Sequence, residues 1–205
     1  MSDFPYAERF PVNRRLPEHG RPREEVLAEL RTMAREEDAT WETGKCSGTM
    51  YSGDHEHYAY LNDVFGLFAH VNVLQRDMCP SATKFEGEVI AMALDLMHAD
   101  TVEGTTPAGL VTSGGTDSIL HAMLSYREHA AKVRGIDGST GRPNIVKPET
   151  AHPAFDKAAH LLGLELRVVP VTDDTTVDPA AVAERIDART IGFMGSACNY
   201  GYGTI

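Results

Sequence analysis

The rhythm of apolar positions divides the chain. Residues 1–21 show no regular apolar period and are rich in Pro and Arg, which reads as an extended arm. From Pro22 to about Asp38 the residues Val26, Leu27, Leu30 and Met33 recur at helical spacing, and Pro22 suits a first turn. Gly44 to Gly53 is a loop rich in Gly and Ser. Asp54 is placed to cap a second helix whose apolar face carries Tyr58, Leu61, Phe65 and Phe68. Pro80 and Ser81 precede a third, with Phe85, Val89, Met92, Ala93 and Leu96 on one side, and Thr83 and Glu86 stand at capping-box spacing.

From Gly109 the pattern changes. An apolar run at 109–112 predicts a strand, followed by a helix over about 116–134 and a glycine-containing surface loop from Gly135 to Pro143. Then come a strand at Asn144-Ile145-Val146, a helix from about Pro153 to Leu162, and a strand at Leu166–Val169. Asp178-Pro179 opens a helix to about Ile186, Asp as cap and Pro as first residue, and Thr190–Met194 is a last strand. Strands alternating with helices imply crossovers and a mostly parallel sheet flanked by helices. The expected organisation is an N-terminal arm and helical segment, 1–104, followed by the first part of an α/β domain, 105–205. A doubly wound sheet normally has more than the roughly four strands reached by Ile205, so a truncated piece of a longer protein is expected.

Charge and cysteine content narrow the function. A formal net charge of −11 argues against a nucleic-acid groove, which needs clustered Lys and Arg. Arg9, Arg14, Arg15, Arg21 and Arg23 are mixed with acids and read as a solvated arm. Cys46, Cys79 and Cys198 form no CxxC pair, which fits a reducing cytoplasm rather than a disulfide framework or a zinc site. Met1 to Pro11 lacks the apolar core of a signal peptide, and no stretch reaches the length of a membrane helix. A soluble, cytoplasmic protein is expected.

The candidate chemistry sits in the second half. Thr112-Ser113-Gly114-Gly115-Thr116-Asp117-Ser118 lies between an apolar run and a helix. Amide groups and the positive end of the helix dipole there suit a phosphate, and the glycines let the backbone approach it. His152 follows a strand and precedes a helix, at the kind of edge where ligands gather in open α/β sheets. The segment Gly195–Gly203, which includes Tyr200, also follows a strand. His55 and His57 look like a metal pair, but at spacing two on a helix start they point apart and read as a solvated helix end.

These segments in this order resemble fold-type I enzymes that use pyridoxal 5′-phosphate, and most of all the sphingosine-1-phosphate lyase branch of the group II decarboxylase superfamily. Thr112–Ser118 is similar to that family's TSGGT(E/D)S segment, Thr150–Ala159 to the segment around its ring-stacking His, and Gly44–Gly48 with Tyr51 to its GKxSG motif and following Tyr. The resemblance implies that Gly114, Gly115 and Thr116 hold the cofactor phosphate and that His152 stacks on the pyridine ring. It implies that Tyr51 and Asn72 line the substrate side and that Tyr200 is an active-site aromatic residue, all three catalytic, in active sites shared across a homodimer.

There are departures. Gln75 stands where the family usually has a His implicated in handling the substrate phosphate, which puts the substrate in doubt. The family's cofactor-binding Lys and the Asp that pairs with the pyridine nitrogen fall beyond Ile205. None of Lys45, Lys84, Lys132, Lys147 or Lys157 lies in a matching motif. The implied activity is a carbon–carbon lyase that cleaves a phosphorylated sphingoid base to a fatty aldehyde and phosphoethanolamine. An amino-acid decarboxylase and a catalytically silent truncated unit remain as alternatives.

Overall fold

In the computed structural model, residues 4–44 and 54–205 are described here. The chain forms two compact units, Met1–Asn72 and Val73–Ile205. The first contains helices α1 (Arg23–Trp41) and α2 (His55–Phe68). Pro22 precedes α1, and the Asp54 carboxylate accepts from the His57 amide at the start of α2, the cap its position predicts. The N-terminal arm is not extended throughout. Residues 4–10 turn, with Arg9 and Phe10 amides donating to the Tyr6 carbonyl at 3.0 Å each. Tyr6 donates to Glu37 at 3.0 Å, and Arg9 grips both carboxylate oxygens of Glu36 at 2.7 and 2.5 Å. The acids of α1 supply partners that composition alone does not pair with particular arginines.

The second unit carries α3 (Pro80–Leu96), a 3-10 turn (Ala99–Thr101), α4 (Gly115–Arg134), β1 (Asn144–Pro148), α5 (Ala154–Leu162), β2 (Glu165–Val169), α6 (Pro179–Ala183) and β3 (Thr190–Phe193). The three strands are parallel in the order β2-β1-β3. Alternation along the central strand sends neighbouring side chains to opposite faces. Ile145 joins Met123 and Ala130 of α4, Ala158 and Ala159 of α5, Leu164, Ile191 and Met194. Val146 joins Val169 and Val182 on the other face, under α6. Ile145 and Val146 are fully buried, and each such side chain contributes about 1.5–3 kcal/mol. Helices on both faces of a parallel sheet are the architecture the sequence predicts.

Three expectations change. Residues 109–112 form no strand: none of the three strands pairs with them, and Leu110 and Val111 stay about half exposed. A strand exists only through a neighbour's backbone groups. Thr83 is no cap, because α3 begins at Pro80 after Cys79; its hydroxyl faces Arg76, which also pairs with Glu86 at 2.7 Å. Helix α6 stops at Ala183, and Ile186 lies in the turn beyond, its amide donating to the Ala183 carbonyl at 3.2 Å.

The N-terminal edge of the sheet is locked by polar groups. Asn144 Nδ2 donates to Asp187 Oδ1 at 2.9 Å, Arg167 Nη2 to Asp187 Oδ2 at 2.9 Å, and the Arg189 amide to Asp187 Oδ1 at 2.8 Å. Thr190 Oγ1 donates to Asn144 Oδ1 at 2.7 Å. Arg134, at the end of α4, donates to the Thr190 carbonyl at 3.0 Å. That bond sets the end of α4 against the beginning of β3. Among the described residues no helix is long and apolar enough to cross a membrane.

Candidate functional site

The glycine turn is built around the first residues of α4. Gly114 is the N-cap residue with φ +155°, a conformation that side chains rarely adopt, and Gly115 is the first helical residue. A Cβ at either glycine would meet nothing within 4 Å. The first intrahelical bond runs from the Ser118 amide to the Gly114 carbonyl at 3.0 Å. The amides of Gly115 and Thr116 therefore have no intrahelical acceptor and remain available, with the Thr116 hydroxyl, to an anion at the positive end of the helix.

The turn's own side chains hold its shape. Thr112 Oγ1 and Ser118 Oγ are 2.6 Å apart, and Thr112 Oγ1 also donates to the Gly114 carbonyl at 3.1 Å. The Ser113 amide and hydroxyl both donate to Asp117 Oδ2 at 3.1 Å. Those bonds from Ser113 hold the Asp117 carboxyl below its ordinary value, with His121 adding a smaller effect of the same sign.

His152 sits in the turn between β1 and α5. Its Nδ1 accepts the Ala154 amide at 3.0 Å, which leaves the ring proton on Nε2 in the neutral form. The ring is exposed, while Ala151 before it and Ala154 after it are buried. Beneath the turn, Lys147 of β1 is 3% exposed and donates from Nζ to the Ala151 carbonyl at 3.0 Å and to Asp156 Oδ2. No motif marks Lys147 in the sequence. The signal was a lysine inside an apolar strand, nine residues before an acid on the next helix.

The segment after β3 is organised by buried Asn199. Its amide donates to the Thr204 carbonyl at 2.8 Å, its Nδ2 to Thr204 Oγ1 at 2.7 Å, and its Oδ1 accepts the Tyr202 amide at 2.9 Å. Thr204 in turn donates to the Thr175 carbonyl at 2.9 Å in the loop before α6. Gly201 and Tyr202 close a cleft of about 340 Å³ with Glu149, Thr150 and Val171. The fold thus brings the segment bearing Tyr200 beside the turn bearing His152. Tyr200 is exposed. Asn72 closes the first unit, after α2, and Tyr51 lies outside the described residues.

The model of the pyridoxal-dependent decarboxylase conserved domain matches residues 5–198. The chain belongs to that family. Among its relatives in the pyridoxal-dependent decarboxylase family, the sphingosine-1-phosphate lyase of Arabidopsis thaliana is 39% identical over 185 residues, 88% of this chain and 33% of that protein. A probable L-aspartate decarboxylase of Pyrococcus furiosus is 31% identical over 191 residues, 93% of this chain and 47% of that protein. The structure of a sphingosine-1-phosphate lyase from Burkholderia pseudomallei superposes with a TM-score of 0.87 at 50% identity, covering 98% of this chain and 46% of that one. The chain spans about a third of the length of the first curated relatives it matches. The cofactor of this family is pyridoxal phosphate, and the donor set at the start of α4 suits its phosphate: two helix-start amides, a hydroxyl, and glycines with open space beside them.

Proposed function

We propose that the full-length protein is a pyridoxal-phosphate-dependent carbon–carbon lyase that cleaves a phosphorylated long-chain amino alcohol of the sphingosine 1-phosphate type to a fatty aldehyde and phosphoethanolamine. The observation that carries this reading is 50% identity with a solved sphingosine-1-phosphate lyase across 98% of the chain. The glycine turn supports it with geometry. The Gly115 and Thr116 amides and the Thr116 hydroxyl would hold the cofactor phosphate, and the backbone of Gly114 would let it approach. His152, proton on Nε2, would lie against the pyridine ring. Tyr51 and Asn72 would line the substrate side, with Tyr200 as an active-site aromatic residue, in a cytoplasmic homodimer with shared sites. The bound cofactor supplies an electron sink for the bond that breaks.

The test uses purified full-length protein with added pyridoxal phosphate. A cofactor absorbance that shifts on borohydride reduction and release of fatty aldehyde from a phosphorylated sphingoid base are expected. A protein that stays colourless with cofactor sinks the reading.

Gln75 supports a second reading, an amino-acid decarboxylase, because it replaces the residue associated with the substrate phosphate. Carbon dioxide release without aldehyde release would select it. Turnover is expected to be undetectable from the 205-residue chain alone, since none of its lysines lies in the family's cofactor-binding motif.

A further inference from the structure

We infer that Lys147 and Asp156 form a clip that positions His152 for the cofactor ring; the link to the cofactor rests on the function proposed above. Lys147 follows Ile145 on the face of β1 that packs under α4 and α5. Its side chain is 4% exposed, and a lysine buried to that degree needs a specific partner. It has two. The Ala151 carbonyl, 3.0 Å from Nζ, belongs to the residue immediately before His152, and Asp156 stands in the first turn of α5, immediately beyond it. One ammonium group therefore ties together both ends of the short segment 151–156.

Three further bonds shape the turn, and one of them reaches the imidazole. The Ala151 amide donates to the Pro148 carbonyl at 3.0 Å, the Phe155 amide to the His152 carbonyl at 3.1 Å, and the Ala154 amide to His152 Nδ1 at 3.0 Å. The Ala154 bond fixes both ring orientation and tautomer, and it holds only while residues 152 and 154 keep their spacing. Stability alone does not account for the lysine. An apolar residue of similar volume at a buried ion-pair site is often as stabilising or more so. What an apolar residue cannot do is bridge Ala151 to Asp156. Lys147 is thus a positioning residue, acting through the turn and not on the reacting atoms.

The test compares Lys147→Met and Asp156→Ala with wild type in the full-length protein. In the cofactor-free protein, hydrogen–deuterium exchange over 151–157 is expected to rise in both variants. With pyridoxal phosphate, both are expected to bind about three- to tenfold more weakly, the worth of one hydrogen bond, and to show a smaller visible circular dichroism of the bound cofactor. In a His152→Ala background neither substitution should weaken binding further. If Asp156→Ala fails to fold because it leaves the buried Lys147 ammonium without its charged partner, Lys147→Met decides the matter, since the carboxylate it leaves behind is 48% exposed and solvated. Unchanged exchange overturns the clip whether or not cofactor binds. Increased exchange with unchanged affinity and dichroism, or an undiminished effect in the His152→Ala background, overturns its link to the cofactor ring. Wild-type protein that takes up no cofactor sinks the proposed function, and the exchange measurement still decides the clip.

Discussion

Gly114 and Asp117 show how far single residues control the turn at the start of α4. At Gly114 there is open space for a Cβ but a backbone conformation that an L side chain resists. Gly114→Ala should therefore lose roughly 1–3 kcal/mol of stability in urea titration, and cofactor affinity with it, through conformation and not through a clash. Asp117 has a lowered carboxyl because Ser113 donates to it twice. A carboxyl lowered by folding adds stability above its ordinary value, and that share is lost as pH falls through the lowered one. Asp117→Asn should accordingly lower Tm near neutral pH, and the gap from wild type should close on acidification below about pH 4. Gly114 was legible in the sequence because a helix start with positive φ favours glycine. Lys147 was not, because its meaning depends on Ala151 and Asp156 being folded against it. Asn199 is equally silent in the sequence: its partners Tyr202 and Thr204 are near, but Thr204 is tied in turn to Thr175, 29 residues away.

At the scale of elements, caps and periodicity read well while pairing did not. Asp54 and Asp178 cap α2 and α6 as their positions predict, the latter accepting the Ala180 amide at 2.9 Å. The apolar run 109–112 looks like a strand because an isolated run carries no information about its neighbours. The start of each strand depends on Asp187, whose carboxyl lies far below the ordinary range, chiefly through the hydrogen bond from Asn144 and then through Arg167 and the Arg189 amide. Asp187→Ala should loosen β1, β2 and β3 together, seen as faster amide exchange at Asn144, Arg167 and Thr190. Its effect on Tm should be present near neutral pH and shrink well below the ordinary carboxylate range, since the charged form makes the bonds.

Across the whole molecule the architecture was legible because the alternation of strand and helix over residues 144–193 admits few arrangements. The division between compact units at Asn72 was not, since α3 has the same helical rhythm as α1 and α2 yet belongs with the α/β region. The second unit has its core on both sides of β1. Ile145→Ala should cost about 2–5 kcal/mol in chemical unfolding, as expected where a fully buried side chain leaves a cavity. The order β2-β1-β3 has a kinetic consequence as well. Strand β1, helix α5 and strand β2 are consecutive, so their contacts close small loops, whereas β3 reaches β1 only after the chain has passed through β2 and α6. Conservative substitutions at Ile145 and Leu166 should slow refolding, while Ile191→Val should act mainly on the unfolding rate. On this ordering the turn bearing His152 should assemble first, and the segment bearing Tyr200 should be delivered to it afterwards.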